Sequence, residues 1–213
     1  MEQCKCCLQY ILDTSSFHKS KVFCLKTIYN HQNIDFFVEL NPIVSSKSCF
    51  VLDTSLDKDV QLGPITTKKR LEEIEKLVEK TKKEGGKILY GGKRPAGFNK
   101  GYFFEPTIID NVKDNFTVMT EEPFGPISPI TTFKNFDEVI KRANKHDCGL
   151  AGYICTNSME KAYKASEQLQ TGVVAVNTPV VATAETPFGG IKQTGYGREG
   201  GSVGIKDYLN IKY

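Results

Sequence analysis

The chain has 213 residues and 39% hydrophobic content, enough to bury a core as one large domain or two small ones. Its 28 basic and 25 acidic residues give a net charge of +3, too balanced for a nucleic-acid-binding protein. No apolar run approaches the ~18 residues of a membrane span. The N-terminus lacks the pattern of a signal peptide, and the first arginine is Arg70, which disfavours a mitochondrial presequence. Irregularly spaced cysteines fit reduced thiols. We predict an intracellular protein, cytoplasmic or mitochondrial, with no nucleic-acid or membrane partner.

The composition changes near residue 60. All 18 glycines lie at or after Gly63, whereas five of the seven cysteines precede it. We therefore predict a divergent N-terminal segment over residues 1–60 and a separate C-terminal part over residues 61–213. Within the first segment, Cys4–Leu12 is typical of a loop that runs into a strand, residues 13–32 show no clean period, and residues 33–40 favour a short helix that Pro42 ends.

Secondary-structure signals are clearer from residue 61. Thr67–Lys83 has the pattern of an amphipathic helix, because Leu71, Ile74, Leu77 and Val78 fall on one face. Residues 87–90 predict a strand, as do residues 102–109, although Pro106 indicates an edge or a bulge there.

The next part alternates strands and helices. Strands are predicted over residues 127–133, 150–155 and 172–177, the last of them buried on both faces. Asn135 with Glu138, and Asn157 with Glu160, have capping-box spacing and predict two helices. The second helix is expected to run to Leu169 with four inward side chains: Met159, Ala162, Tyr163 and Leu169. Strands joined by single helices imply right-handed crossovers, so the predicted fold class is α/β with a parallel sheet.

Two stretches are candidates for a binding site, since ligands of such sheets lie beyond the carboxyl ends of the strands. One is residues 121–126, Glu-Glu-Pro-Phe-Gly-Pro. The other is residues 185–201, with six glycines in seventeen residues, which we call the Gly-rich turn. Phe188, Ile191 and Tyr196 are spaced among its glycines, so we expect a packed turn beside a pocket rather than a linker.

These stretches resemble motifs of the aldehyde dehydrogenase superfamily. Residues 121–126 match its Glu-Glu-x-Phe-Gly-Pro motif, residues 187–199 match its Pro-Phe-Gly-Gly-x-Lys-x-Ser/Thr-Gly signature, and residues 61–64 match the motif that opens its C-terminal third. Residues 149–153, 167–169 and 204–209 look most like succinate-semialdehyde dehydrogenases. The resemblance implies a truncated catalytic domain of this type over residues 61–213, with a C-terminal oligomerisation strand.

The resemblance also implies a function, the NAD(P)-dependent oxidation of an aldehyde through a cysteine thioester. By the matching positions, Glu122 would bind the nicotinamide ribose hydroxyls, Phe124 would pack beside the nicotinamide, and Phe188 would line the aldehyde tunnel. The subfamily uses a serine to bind the succinate semialdehyde carboxylate. Here that position is Ala182, and Thr183 beside it is the substrate-binding candidate. The sequence therefore leaves open whether succinate semialdehyde is the substrate.

Cys4 is the candidate nucleophile, because residues 2–11 resemble the family's Gly-Gln-x-Cys context and residues 34–40 resemble the helix that follows it. The separation between the two is longer than in the family, and an inserted or mis-spliced segment at 13–32 explains the excess. Cys24 is the second candidate, and incidental thiols near the terminus are the alternative. A metal site of Cys4, Cys6, Cys7 and His18 fits no standard zinc pattern, so we predict no metal.

Two readings of the whole chain remain. Its sequence starts three residues before Cys4, so the family's cofactor loop, general base and oxyanion-hole residue are expected to be absent and the isolated chain inactive. Either it belongs to an active enzyme, or it is a non-catalytic homologue that associates with full-length subunits. The tail, residues 207–213, has strand-like alternation suited to pairing across a dimer or tetramer interface.

Overall fold

A computed structural model describes residues 8–12 and 22–25 by their backbone, and residues 52–53, 60, 62–178 and 180–213 in full. The helix predicted over residues 33–40 and the side chains of Cys4 and Cys24 lie outside these described residues. The chain divides into two compact units. The first, which we call the terminal unit, consists of Met1–Leu25 and Thr132–Tyr213. The second, the central unit, consists of Lys26–Thr131.

The described residues of the central unit contain two helices and three strands. In chain order they are α1 (Lys68–Lys83), β3 (Lys87–Tyr90), β4 (Thr107–Asp110), α2 (Thr117–Thr120) and β5 (Ile127–Pro129). The three strands form a sheet in the order β3-β4-β5, in which β4 is antiparallel to β3 and parallel to β5.

Helix α1 forms where the sequence predicts it. The Thr67 hydroxyl accepts a hydrogen bond from the Arg70 amide, so Thr67 caps the first turn, and Leu71, Ile74 and Val78 are buried along one face. Strand β4 begins only at Thr107, later than predicted, because Pro106 has no N–H to donate to a ladder. Five large side chains are fully buried in this unit: Ile108, Ile109 and Ile127 of the sheet, and Val118 and Met119 of α2. Burial of each one contributes about 1.5–3 kcal/mol to the free energy of unfolding.

The terminal unit contains the remaining elements. They are β1 (Leu8–Leu12), β2 (Val22–Leu25), β6 (Thr131–Thr132, at the boundary with the central unit), α3 (Phe136–Ala143), β7 (Cys148–Gly149), β8 (Ala151–Cys155), α4 (Met159–Gln168), β9 (Val173–Val176), β10 (Ile191–Lys192) and a 3₁₀ helix (Gly204–Tyr208). Five strands form a sheet in the order β6-β2-β1-β8-β9, and β10 pairs with β7. Strands β1, β8 and β9 are parallel, which confirms the α/β prediction with a parallel sheet.

Several boundaries in this unit differ from the predictions. The strand expected over 127–133 is divided into β5 and β6, and the one over 150–155 is preceded by the separate strand β7. Strand β2 lies in the segment where no period was found, and it pairs antiparallel with β1. Strand β9 is less buried than expected, with Val176 36% exposed, because it is the last strand in the described sheet order.

Of the two described α-helices of the terminal unit, α3 is capped as predicted, whereas α4 differs from its prediction. Asn135 caps α3 as expected, since its side-chain oxygen accepts from the Glu138 amide at 2.9 Å. Helix α4 is capped by Ser158 rather than Asn157, and the inward positions predicted for Met159 and Tyr163 are wrong: these side chains are 83% and 67% exposed. The face of α4 that packs against β8 and β9 carries the small, buried Ala162 and Ala165.

Asn177 joins the carboxyl ends of two neighbouring strands. It follows β9 in the left-handed region, at φ 53°, which asparagine tolerates better than most residues. Its side-chain oxygen accepts from the Thr156 amide and its side-chain NH₂ donates to the Thr156 carbonyl, both at 2.9 Å. Thr156 follows β8, so the amide side chain continues the pairing of β8 with β9 beyond the last ladder bond.

No helix in the part of the chain that the structure describes is long and apolar enough to cross a membrane.

Two substitutions at Asn177 separate its hydrogen bonds from its backbone conformation. Asn177→Gly keeps the left-handed conformation and loses both side-chain bonds, so we expect a loss of about 1 kcal/mol in unfolding free energy. Asn177→Ala loses the same bonds and leaves a Cβ at positive φ without the polar side chain that makes this conformation tolerable for asparagine, for a total of about 2–3 kcal/mol. Urea unfolding measures both values. Equal losses in the two variants would contradict the strain component.

Candidate functional site

The first candidate surface is the turn of residues 121–126 in the central unit, which we call the Glu122 turn. It follows α2, whose last hydrogen bond joins the Glu121 amide to the Thr117 carbonyl at 2.8 Å. Pro123 and Gly125 are buried, whereas Phe124 between them is 43% exposed at φ 34°. Burial of its two neighbours therefore fixes the turn and leaves the Phe124 ring at the surface.

Glu122 is half-buried in this turn, and its Oε2 atom has almost no contact with solvent. A carboxylate in such a position accepts strong hydrogen bonds from hydroxyl groups, because ionised acceptors form shorter bonds than neutral ones. Two residues further on, Phe124 offers an aromatic surface to a flat ligand. These are the two groups that the motif assigns to the ribose and its nicotinamide ring, and their roles stay predictions.

Helix α1 contacts the same turn. The Arg70 guanidinium lies 5.5 Å from the centre of the Phe124 ring, which is the geometry of a cation–π interaction. A Cβ atom at Gly125 would overlap the Ile74 side chain, so the turn lies directly on the first turns of α1. The sequence motif contains neither Arg70 nor Ile74, and no local signal pointed to them.

The second candidate surface is the Gly-rich turn of the terminal unit. The backbones of Phe188 and Glu199 exchange two hydrogen bonds, with N···O distances of 2.7 and 2.8 Å, and close the turn into a loop. Inside it, Arg198 Nη1 donates to the carbonyl oxygens of Gly190 and Gly197 at 2.9 and 2.6 Å. The Phe188 side chain is half-buried. The stretch is thus a turn closed by hydrogen bonds rather than a linker.

The glycines of this turn permit close backbone contact. A Cβ atom at Gly172, just before β9, would overlap the Gly189 carbonyl oxygen, so only a residue without a side chain fits there. The Thr194 hydroxyl is buried and accepts from the Gly149 amide at 2.8 Å. Tyr196, expected to pack, is instead fully exposed, because the short Thr194 side chain fills the inward position.

Lys192 is the first of two basic residues in the Gly-rich turn, at φ 58°. Its Nζ atom donates to the carbonyl oxygens of Asn144 and His146, at 3.0 and 2.9 Å. Asn144 is the C-cap of α3, so the ammonium lies where the helix dipole favours a positive charge. An open cavity of about 490 Å³ adjoins it, lined by Asp147, Lys192, Gln193, Gly195 and Tyr196. Phe188 and Thr183 do not line this cavity.

Thr183 lies exposed in the loop before the Gly-rich turn. Its hydroxyl oxygen is 3.0 Å from that of Thr186. The backbone N–H of Glu185 and the Thr183 hydroxyl both bind the Glu185 carboxylate and hold its pKa below the usual range, since hydrogen bonds to a charged carboxylate favour that form. Thr183 is therefore engaged with a negatively charged neighbour.

The predicted site residues belong to different units. Glu122 and Phe124 lie together in the central unit, and Thr183 and Phe188 lie in the terminal unit. Cys4 lies outside the described residues, and of Cys24 only the backbone is described, in β2. The two cysteines with described side chains, Cys148 and Cys155, do not suit a nucleophile. Cys148 is buried, and burial raises the pKa of the Cys155 thiol.

Known proteins resemble this chain over most of its length. Residues 21–213 match the profile of the aldehyde dehydrogenase family, a range that includes Glu122, Phe124, Thr183 and Phe188 but not Cys4. The protein named succinate-semialdehyde dehydrogenase NADP(+) 1, of Schizosaccharomyces pombe, is 38% identical over 89% of this chain and 38% of its own length. Aldehyde dehydrogenase, cytosolic 1, of Macroscelides proboscideus is 42% identical over 91% of this chain and 37% of its own length.

A solved structure of an aldehyde dehydrogenase also matches this chain. The NAD+ complex of an aldehyde dehydrogenase from Bacillus cereus superposes on this chain with a TM-score of 0.70 at 36% sequence identity, over 76% of this chain and 32% of that one. The chain thus spans roughly a third to two fifths of the length of the proteins it matches.

Substitution of Gly172 tests the close contact beneath the Gly-rich turn. Gly172→Ala forces the turn away from β9, and overpacking of this kind costs about 1–3 kcal/mol of unfolding free energy. Gly63→Ala is the matched control, since nothing lies within 4 Å of a Cβ atom there. Denaturant unfolding with both variants checks the expectation. A loss at Gly172 no larger than at Gly63 would exclude the contact.

The Thr183 hydroxyl is expected to control the titration of Glu185. Thr183→Ala removes one of the two donors that stabilise the carboxylate, so the pKa of Glu185 should rise toward its ordinary value. A carbon-detected NMR titration of the Glu185 side chain measures the change, with Thr178→Ala as a control in the same loop. An unchanged titration would show that the backbone N–H alone lowers the pKa.

Proposed function

We propose, from the premise that the chain belongs to the aldehyde dehydrogenase family, that it forms part of an enzyme that oxidises an aldehyde to its carboxylic acid with NAD or NADP. One observation carries the proposal: the half-buried Glu122 and the exposed Phe124 lie two residues apart on the same turn. The Bacillus cereus neighbour was solved with NAD+, and the name of the Schizosaccharomyces pombe relative contains NADP(+). The dinucleotide, when bound, supplies the acceptor for the hydride that leaves the substrate.

The chain's own residues have separate roles in this proposal. Glu122 accepts hydrogen bonds from the ribose hydroxyls, and Phe124 packs beside the nicotinamide and shields it from water. Phe188, held by its two backbone bonds to Glu199, lines the path of the aldehyde. Cys4 is the proposed nucleophile, and its thiolate attacks the carbonyl carbon to form a thioester after hydride loss, which water then hydrolyses.

The relatives alone do not identify the aldehyde substrate. The Schizosaccharomyces pombe relative is named for succinate semialdehyde, which carries a second carboxylate. In this chain the backbone N–H of Glu185 and the Thr183 hydroxyl both bind the Glu185 carboxylate and stabilise its charged form. A negative charge beside Thr183 repels a second carboxylate, so we propose that a neutral aldehyde is preferred to succinate semialdehyde.

A second candidate function is association with other subunits. The C-terminal residues after the Gly-rich turn expose several large apolar side chains: Ile205, Tyr208, Leu209, Ile211 and Tyr213. The 3₁₀ helix extends to Tyr208, so the strand-like part of the tail starts later than predicted, at Leu209, whose φ of −110° and ψ of 137° are extended. We propose that residues 209–213 pair with a second copy or a full-length homologue, giving a dimer or tetramer.

The domain arrangement and the location follow from the same proposal. Residues 61–213 are proposed to be the C-terminal part of the catalytic domain, and residues 1–60 a divergent segment with an insertion at 13–32. The Macroscelides relative is named as cytosolic, which supports an intracellular location for this chain.

A chimera tests the catalytic proposal. Residues 62–213 replace the corresponding part of the Schizosaccharomyces pombe relative, and aldehyde-dependent reduction of NAD and NADP is measured. We expect turnover, and we expect Glu122→Gln to raise KM for the cofactor about 10- to 100-fold, because a charge-assisted hydrogen bond contributes about 1.5–3 kcal/mol. Glu121→Gln is the control, since Glu121 is the exposed neighbour.

Three outcomes of these measurements would contradict the proposal. A folded chimera without turnover would reject the enzymatic function, and equal KM values for the two variants would reject the role of Glu122. A preference for succinate semialdehyde over a neutral aldehyde of similar length would reject the role of Glu185. The 213-residue chain alone is expected to be inactive, because about three fifths of the relative has no counterpart in it.

Size-exclusion chromatography with light scattering tests the association proposal. We expect the chain to elute as a dimer or larger species and Ile211→Asp to shift it toward monomer, because the side chain is fully exposed and its loss leaves the described fold unchanged. Lys212→Asp is the control for added negative charge in the tail. A monomeric parent chain that also fails to co-purify with the full-length relative would reject the proposal.

A further inference from the structure

We infer that helix α1 holds the Glu122 turn in its binding conformation, and that Glu84 and Arg70, near the two ends of the helix, are positioning residues for Glu122. The inference rests on the proposed function, since it names residues that act on the proposed cofactor site. All the groups involved belong to the central unit.

Glu84 holds the start of the segment that leads to Glu122. It is the C-cap of α1, and its carboxylate binds Thr117 twice: Oε2 accepts from the Thr117 amide at 2.9 Å and Oε1 accepts from the Thr117 hydroxyl at 2.6 Å. Phe116, the N-cap of α2, supplies no side-chain bond of its own. A carboxylate 33 residues away therefore supplies the cap that fixes α2 and the chain that follows it.

Arg70 and Ile74 hold the other end of the segment. The Arg70 guanidinium lies over the Phe124 ring, 5.5 Å from its centre, and Ile74 occupies the space that a Gly125 side chain would need. Beyond them, the Pro126 carbonyl accepts from the Thr107 amide at 2.7 Å, which attaches the segment to β4. Glu122 thus lies between two anchored points.

The segment between the anchors is short and leaves α2 at once. Glu121, the C-cap of α2, is extended, at φ −106° and ψ 141°. Pro123 and Gly125, on either side of Phe124, are buried. A short segment that is held at Thr117, Gly125 and Pro126 has few conformations, and Glu122 is therefore pre-organised for its ligand.

Hydrogen exchange on the purified 213-residue chain tests the inference without any cofactor. Glu84→Ala is expected to speed the exchange of amides in residues 117–125 about tenfold and to leave β4 and β5 unchanged. Glu79→Ala is the control, since Glu79 lies on the same helix and forms an exposed ion pair with Lys82 of that helix. Glu84→Gln, which retains an acceptor oxygen and a donor for Thr117, is expected to restore most of the protection.

Arg70→Met tests the other anchor by the same measurement. We expect faster exchange confined to residues 121–125, with Glu73→Gln as the control, because it removes the ion pair between Glu73 and Arg70 and keeps the guanidinium that lies over Phe124. Should Glu84→Ala not fold, Thr117→Val removes the hydroxyl bond at constant size and is expected to speed exchange about threefold in the same residues.

The chimera separates positioning from general stability. A positioning role predicts that Glu84→Ala raises KM for the cofactor several-fold at an unchanged kcat and is rescued by Glu84→Gln, whereas a loss of stability alone would lower the active fraction and therefore kcat. Exchange that is unchanged in residues 117–125, or raised equally throughout the central unit, would overturn the inference. Failure of the proposed function is distinguishable, because it removes turnover while the exchange result stands.

Discussion

Backbone groups at the ends of helices and strands need hydrogen-bond partners, and this need organises both units of the chain. The first N–H groups and last carbonyl groups of a helix have no partner within it. Side chains from elsewhere supply those partners: Glu84 at the start of α2, Lys192 at the end of α3, and Asn177 beyond the end of β8. Each such bond joins two elements that are distant in sequence, and two of the three contact the segments that carry the candidate sites.

The sequence predicted the elements whose signals are local. The spacing of Leu71, Ile74 and Val78 predicts α1 because the helical period is a property of neighbouring residues, and Asn135 predicts the start of α3 for the same reason. Tertiary packing changed what such signals predicted elsewhere. Met159 and Tyr163 have helical spacing yet face outward, since α4 packs through its alanines. Strand β2 has no alternation, so only its pairing with β1 reveals it.

For the candidate sites too, the sequence identified the residues that stand in local motifs and missed those that act through distant contacts. Glu122, Phe124 and Phe188 were identified because they stand in motifs with a known arrangement, and the structure places them on fixed, hydrogen-bonded turns. Arg70, Glu84 and Gly172 were missed because their contacts span long sequence separations and leave no pattern in neighbouring residues. The role of Thr183 was proposed from its position beside Ala182, but its engagement with Glu185 depends on the folding of the loop.

Lys192 has a consequence for chemical labelling of this protein. Its ammonium donates to two carbonyl oxygens at the end of α3, so this exposed amine is also a structural group. Reagents that acylate amines, including the cross-linkers used to map subunit contacts, require a deprotonated and accessible nitrogen. Modification at Lys192 would remove the positive charge and release the end of the helix beneath the Gly-rich turn. Cross-links from this residue therefore report on an altered turn, whereas those from freely solvated lysines report on the native surface.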